Sequence, residues 1–258
     1  MRLLVAGDID PVAVDNPGGC SDFLLLGDHA GRLIPAQLGE LELRPDELER
    51  HIAWDIGVAG LGAQLAQRLD AMFIRQTYSR LVIDCNRGPG SSGAMASVSD
   101  GTYIAGNAAL GAGGRAAREG EIFAPYHAAI GAELDRRAGR PTVLVSLHSF
   151  TPSLAGIVRP WRFGVLHRND SAFSAAVLRS LTEAFGNDVG DNQPYAMDGT
   201  DFTIPYHADL RGLDYLEMEV RQDLIAVAEG QQRIADLLAP VLTSCRPNAR
   251  ARSLAASP

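Results

Sequence analysis

The amino-acid sequence predicts an α/β fold with three layers (α/β/α), in which helices cover both faces of a mixed, mostly parallel sheet. Strand-like segments alternate with helical segments along the chain, and this alternation is typical of such layered folds. The 258 residues contain no internal repeat and no linker, so we expect a single domain over residues 1–258. No glycine-rich nucleotide fingerprint follows a predicted strand, so neither a dinucleotide-binding nor a P-loop fold is indicated.

Five segments are predicted to be strands, because apolar or β-favouring residues run into a polar or turn-forming end. In chain order they are FLLLGDHAG (23–31), RLVIDCN (80–86), PTVLVSLHSFTP (141–152), the segment 163–167 and LDYLEMEVRQDLI (213–225). The first strand leads into a loop at its Asp-His-Gly end, and the 141–152 segment gives the clearest strand pattern of all.

Four segments are predicted to be helices from their apolar spacing, an early proline or a closing glycine. They are residues 44–74, residues 121–139, SAFSAAVLRSLTEAFG (171–186) and GQQRIADLLAPVLTS (230–244). Residues 88–120 and 191–212 are rich in glycine or polar residues and are predicted to be loops, and residues 246–258 a frayed tail.

The composition excludes several classes of function. A formal net charge of −8 and a pI of about 5.2 argue against general nucleic-acid binding, which needs a basic face. No apolar run approaches the ~18 residues of a membrane span, and the N-terminus lacks the apolar core of a signal peptide. Cys20, Cys85 and Cys245 are far apart and odd in number, which favours reduced thiols. We therefore expect a cytoplasmic protein that contacts neither nucleic acid nor membrane.

Polar side chains at the ends of predicted strands indicate a site at one rim of the sheet. His29, the pair Asn86-Arg87, His148 and Glu219 all occupy such positions, where open α/β sheets bind ligands. Two histidines and a carboxylate are a usual ligand set for catalytic zinc, with one position left for water. We predict His29 and His148 as two of these ligands.

The third ligand is assigned to Asp55, at the start of the helix that follows the His29 loop, and His51 is the competing candidate. An unligated carboxylate is also needed, because it takes the proton of the attacking water and passes it to the leaving amine. Glu219 is predicted for this role, with Glu217 as the alternative. The two-residue period of a strand places Arg221 on the same face as both glutamates.

The sequence resembles the N-formylglutamate amidohydrolase family over residues 22–230. The resemblance is carried by GDHAGRLIP, HIAWDIG, RLVIDCNRGP, PYHAAI, LHSFTP, DNQPYAMDG and YHADLRGLDYLEMEVRQDLI, in this order and spacing. It implies a phosphorylase/hydrolase-like fold related to zinc carboxypeptidases, with one Zn²⁺ per chain and hydrolysis of an N-acyl, typically N-formyl, amino acid. By this resemblance His29 and His148 are metal ligands, Glu219 is the general base, and Asn86 with Arg87 holds the substrate carboxylate.

The chain departs from the zinc carboxypeptidases at one position. Those enzymes have a glutamate three residues after the first histidine, where this sequence has Arg32. There are two alternatives to an N-acyl amino acid hydrolase. One is a carboxypeptidase-like peptidase with the same metal and an extended groove, and the other, which the missing glutamate favours, is a non-catalytic protein of the same fold that binds a carboxylate or a metal.

The remaining candidates each have a functional and a structural interpretation. His127 and His207 lie in two Pro-Tyr-His-Ala segments and either donate to a developing oxyanion or satisfy a partner near a helix start. Arg87 either holds a substrate carboxylate or pairs with Asp84. Asn192, Tyr195 and Arg221 are assigned to the wall of the substrate pocket, and the expected ligand is a small N-acyl amino acid. The oligomeric state is left open, a homo-oligomer included.

Overall fold

The computed structural model describes residues 2–168 and 170–246, and most strands in these ranges join one central sheet. The strands are Val12–Asp15 (β1), Phe23–Gly27 (β2), Met72–Gln76 (β3), Val98–Ser99 (β4), Thr102–Tyr103 (β5), Val143–Phe150 (β6), Ser153–Leu154 (β7), Ile157–Val158 (β8), Phe163–Leu166 (β9), Val189–Asp191 (β10) and Asp214–Arg221 (β11). The sheet order is β1-β3-β2-β6-β11-β9-β10, while β4–β5 and β7–β8 form two separate hairpins. Neighbours from β3 to β11 are parallel, whereas β1 and β9 pair antiparallel with β3 and β11.

Helices cover both faces of this sheet. They are Pro45–Leu48 (α1), Val58–Leu69 (α2), Ala105–Ala108 (α3), Ala112–Arg118 (α4), Ala124–Arg136 (α5), Ala172–Phe185 (α6), Thr203–Ala208 (α7) and Ala228–Cys245 (α8). One buried core contains Leu61 of α2, Phe173 of α6 and Leu238 of α8, and a second core on the other face contains Tyr126 of α5 and Ile204 of α7. The three-layer α/β architecture predicted from the sequence is therefore confirmed.

The pleat of β6 and β11 decides which side chains reach the site. Val145 and Leu147 point into the core formed by α2, α6 and α8. His148, Glu217 and Glu219 alternate with such residues, so they lie on the opposite face of the sheet. Near the carboxyl ends of these strands the apolar surface of that face gives way to polar side chains, and a cavity opens there.

The predicted strand at residues 80–86 is wrong. These residues are nearly all buried, but they form turns closed by short-range bonds such as Val82 N to Ser79 O at 2.9 Å. The place beside β2 is taken by β3, at the end of the segment predicted to be helical. An apolar run indicates that a segment is buried, but it does not indicate that the segment pairs as a strand. Leu81 and Ile83 pack against the α5 side of the sheet without joining the sheet.

The long helix predicted over residues 44–74 is also wrong, because it is divided. Helix α2 begins only at Val58, after Gly57 has adopted a left-handed φ of +86°. A Cβ at Gly57 would lie 2.2 Å from the carbonyl oxygen of Ile225, so the chain turns there where a side chain would not fit.

The two segments predicted to be loops contain regular structure. Residues 88–120 hold β4, β5, α3 and α4, and residues 191–212 hold α7. Tertiary bonds organise the first segment: the buried Asn107 amide donates to the carbonyl oxygens of Leu81 and Ala96. The predicted tail lies outside the described residues from 247 onward. Within the described part of the chain, no helix combines the length and the apolar character that a membrane crossing requires.

Candidate metal centre and active-site cavity

Two imidazoles and one carboxylate meet at the carboxyl ends of β2 and β6. His29 follows β2, His148 lies within β6, and Asp55 precedes α2, where its backbone N–H donates to the carbonyl oxygen of His29. One ligand atom from each residue lies within 4.8 Å of the other two, and all three residues are buried. Asp55 joins the two imidazoles, whereas the competing His51 lies beside Asp100, at 3.4 Å from its carboxylate.

Hydrogen bonds fix which nitrogen of each imidazole faces Asp55. His29 Nε2 lies 2.7 Å from Asp84 Oδ1, so in the neutral ring this nitrogen donates and Nδ1 carries the lone pair. The Ser146 hydroxyl donates to Asp28 at 3.4 Å and lies 3.0 Å from His148 Nε2, so Nε2 of His148 also has a partner of its own. The Nδ1 atoms of both imidazoles therefore face Asp55.

This arrangement fits a metal ion. His148 Nδ1 and His29 Nδ1 lie 3.0 Å and 3.5 Å from Asp55 Oδ2, and His29 Nδ1 is buried without a hydrogen-bond partner. Two imidazole nitrogens that face the same carboxylate oxygen need a proton or a cation between them and that oxygen. Burial lowers the pKa of His148, but the carboxylates of Asp28 and Asp55 outweigh it and raise that pKa well above its usual range.

A second layer of side chains, which the sequence did not indicate, holds these groups. Asp84 accepts from Arg80 Nη2 at 2.7 Å in addition to its bond with His29, and Arg80 Nη1 reaches Asp55 at 3.2 Å. Arg80 and His29 together hold the pKa of the buried Asp84 well below its usual range, although burial opposes the shift. Such outer partners orient metal-ligating histidines. Asp84 therefore supports His29 and does not pair with Arg87, the structural alternative raised by the sequence.

Arg32 takes no part in this cluster. Its guanidinium binds the Glu49 carboxylate at 2.7 Å and stacks over the Trp54 ring at 5.3 Å. The position that holds a glutamate in zinc carboxypeptidases thus belongs here to the protein surface, and Asp55 supplies the carboxylate of the cluster.

Two glutamates line the adjoining cavity of about 480 Å³. Glu219 pairs in register with His148, and Glu217 pairs with Ser146 one step deeper. One oxygen of each is buried without a hydrogen-bond partner. Burial raises the pKa of both side chains to about 8, which suits a group that exchanges a proton near neutral pH.

Asn86 and Arg87 reach the same cavity from a loop and not from a strand end. The Asn86 side-chain oxygen accepts from the backbone N–H groups of Phe202 and Thr203 at 3.0 and 2.9 Å. Arg87 Nη1 donates to Thr200 Oγ1 at 2.6 Å and lies 3.2 Å from Asp201 Oδ1. The two side chains therefore form one polar wall, and the segment before α7 fixes their positions.

His127 and His207 do not line the cavity, so their predicted oxyanion role is not supported. They stack with ring centroids 5.2 Å apart, and His127 Nε2 donates to the carbonyl oxygen of Cys85 at 2.9 Å. Burial lowers the pKa of both, to about 3 for His207, so the pair stays neutral. The structural interpretation holds: the pair braces the loop that carries Asn86.

Of the three residues assigned to the pocket wall, only Tyr195 lies there. Its hydroxyl accepts from Arg159 at 2.9 Å, and the Arg159 guanidinium lies 4.7 Å from the ring centroid. Asn192 accepts instead from the backbone N–H of His167. Arg221 lies outside the cavity. It is the last residue of β11, and its side chain pairs with Asp223 at 2.8 Å in the turn that follows the strand.

The sequence family agrees with this geometry. The model of the N-formylglutamate amidohydrolase family matches residues 21–226, so the chain belongs to that family of amidohydrolases. A crystal structure of gene product Atu2144 from Agrobacterium tumefaciens is 36% identical with a TM-score of 0.91, covering 95% of this chain and 98% of that one.

More distant relatives share the fold alone. N-formylglutamate amidohydrolase from Ralstonia eutropha JMP134 is 20% identical with a TM-score of 0.66, over 92% of this chain and 99% of that one. No curated protein sequence matches the chain significantly.

Proposed function

We propose that this amidohydrolase is a zinc-dependent enzyme that hydrolyses the N-acyl bond, and chiefly the N-formyl bond, of a small amino acid bearing a carboxylate, such as N-formylglutamate. The observation that carries the proposal is the pair of Nδ1 atoms of His29 and His148, which both face the Asp55 carboxylate beside a cavity. Two imidazoles and a carboxylate are a ligand set that zinc favours.

His29, Asp55 and His148 would hold the metal, which when bound polarises a carbonyl and activates water at neutral pH. Asp84 holds the His29 ring by Nε2, and Ser146 holds the His148 ring by Nε2, so the Nδ1 atoms of both rings are left for the metal. These outer bonds fix both rings before a ligand arrives, so little ordering is left to the moment of binding.

Glu219 acts as the general base in this proposal. Its position beside His148 and its pKa of about 8, raised by burial, let it take a proton from the attacking water and pass it to the leaving amine. Asn86 and Arg87, which line the same cavity, bind the substrate carboxylate and so aim the amide at the cluster. A cavity of about 480 Å³ suits an N-acyl amino acid and is small for an extended peptide.

The test is a hydrolysis screen of zinc-loaded protein over N-formyl and N-acetyl amino acids, with detection of formate or acetate. We expect about one zinc per chain, formate release that a chelator abolishes, and no turnover by Glu219→Gln although its zinc content is unchanged. Turnover retained by Glu219→Gln and lost in Glu217→Gln would transfer the base role to Glu217.

Three outcomes would contradict the proposal. Cleavage of peptides but not of formyl amino acids would indicate a carboxypeptidase-like enzyme. Ligand binding without turnover at any zinc loading would indicate a non-catalytic protein. Full turnover after zinc removal would exclude the metal role.

A further inference from the structure

The wall assigned to the substrate carboxylate already holds a carboxylate of the chain itself. Asp201 Oδ1 lies 3.1 Å from Asn86 Nδ2 and 3.2 Å from Arg87 Nη1. Arg87 and Asn86 thus present to Asp201 the pair of donors that a ligand carboxylate would use. Among the described residues, Asp201 is also the ion-pair partner of Arg87 within 4.0 Å.

The backbone carries Asp201 to this position. An isolated β-bridge joins Arg87 to Asp201, and the N–H of Phe202 donates to the Asn86 carbonyl oxygen at 3.1 Å. The side chain itself has one further bond, from the backbone N–H of Asp198 to Oδ2 at 2.9 Å. The backbone can therefore stay in place while the carboxylate leaves the two donors.

The surroundings of Asp201 favour such a departure. Residues 198–200 are exposed, and Gly199 has no atom within 4 Å of the position a Cβ would occupy, so there is open space beside the segment. Glu217 and Asp198 line the same cavity, and the charge of each acts against the charge of Asp201. A ligand carboxylate that enters the cavity would compete with Asp201 for Arg87 Nη1 and Asn86 Nδ2.

We infer that Asp201 is a specificity-determining residue: its carboxylate occupies the Asn86–Arg87 donors, and a substrate carboxylate binds by displacing it. The inference rests on the proposed function in one respect, which is that these donors receive the substrate carboxylate. Because it competes for the same donors, Asp201 lowers the affinity of the site for every carboxylate ligand. It leaves the affinity for the corresponding amides unchanged, because a neutral amide forms no ion pair with the Arg87 guanidinium.

Calorimetry separates this role from turnover. The full-length protein is prepared as Glu219→Gln, which keeps the ligand intact, with and without Asp201→Asn; the ligands are N-formyl-L-alanine and its C-terminal amide. Asparagine keeps an acceptor oxygen for Asn86 and Arg87 but removes the charge. We expect the Kd of N-formyl-L-alanine to fall about tenfold, equivalent to ~1.4 kcal/mol, and the Kd of the amide to stay the same.

Asp100→Asn is the matched control. It removes a carboxylate that lines the same cavity but binds Arg50 at 2.8 Å, so it should change the Kd of N-formyl-L-alanine much less than Asp201→Asn does. An equal or weaker affinity of Asp201→Asn for N-formyl-L-alanine, or an equal gain for both ligands, would overturn the inference. Failure of either protein to bind any N-formyl ligand would contradict the proposed function itself.

A crystal structure of Glu219→Gln with N-formyl-L-alanine tests the displacement without a change at Asp201. We expect the ligand carboxylate on Arg87 and the Asp201 carboxylate beyond hydrogen-bond distance from it. A ligand carboxylate bound elsewhere, with Asp201 still on Arg87, would overturn the inference.

Discussion

Replacing Asp84 by asparagine should weaken zinc binding although Asp84 is not itself a ligand. Asp84 Oδ1 lies 2.7 Å from His29 Nε2 and Oδ2 lies 2.7 Å from Arg80 Nη2, in a site where Asp84 is only 5% exposed. A buried hydrogen bond to a charged group contributes ~1.5–3 kcal/mol, which corresponds to about 10- to 100-fold in an equilibrium constant. The asparagine oxygen still accepts from His29, so we expect the lower end, about a tenfold rise in the zinc Kd.

Competition between the protein and a chromophoric chelator measures this Kd directly. Asp100→Asn is the matched control, because Asp100 lines the same cavity but its carboxylate binds Arg50 at 2.8 Å. The reasoning is refuted if Asp84→Asn binds zinc as tightly as the unchanged protein, or if Asp100→Asn weakens binding equally.

Three further predictions follow from the cavity and the core. Arg87→Ala should raise KM for N-formyl amino acids about 10- to 100-fold with little change in kcat, because the lost contact orients the ground state as well as the transition state; a fall confined to kcat in steady-state assays would contradict this. Burial raises the pKa of Glu217 from 4.5 to about 8, so between these values the folded metal-free protein keeps a proton that the unfolded chain loses, and its stability falls as the pH rises. Glu217→Gln should therefore flatten the loss of Tm between about pH 5 and about pH 8, and an unchanged slope would count against the buried neutral acid. Gly62→Ala would place a Cβ 2.2 Å from the Phe73 ring and should lower the free energy of unfolding in urea by ~1–3 kcal/mol. Gly113→Ala, with open space around it, should not lower this free energy, and equal effects of the two substitutions would contradict the packing.

The sequence predicts the cluster of His29, Asp55 and His148 because each residue lies where local pattern and position agree. His29 and His148 follow or end apolar strands, and the parallel pairing of β2 with β6 brings the two strand ends together. The sequence does not decide whether Asp55 or His51 is the third member of the cluster. Tertiary structure decides it, because the hydrogen bond from the Asp55 N–H to the His29 carbonyl oxygen turns Asp55 inward.

The parts that the sequence missed depend on contacts between distant segments. Asn86 and Arg87 were expected at a strand end, but a loop carries them to the cavity, held by residues more than a hundred positions later. A buried apolar loop and a buried strand have the same composition, so the pattern of residues 80–86 does not distinguish them. His127 and His207 illustrate the same limit, because a histidine that braces a loop and one that faces a ligand have the same local sequence.

The charge of the cavity connects the proposed metal with the proposed substrate. Acidic residues that line it outnumber the arginines: they are Asp55, Asp84, Asp100, Asp198, Asp201, Glu217 and Glu219, against Arg80 and Arg87. Such a cavity repels a carboxylate ligand unless positive charge is added or some of the acids are neutral. A divalent cation at His29 and His148, a protonated Glu217 and an Arg87 released by Asp201 each shift the balance towards an anion. Zinc loading should therefore tighten the binding of N-formyl-L-alanine more than that of its amide, and an equal gain for the two ligands would show that the cation acts only on the amide bond.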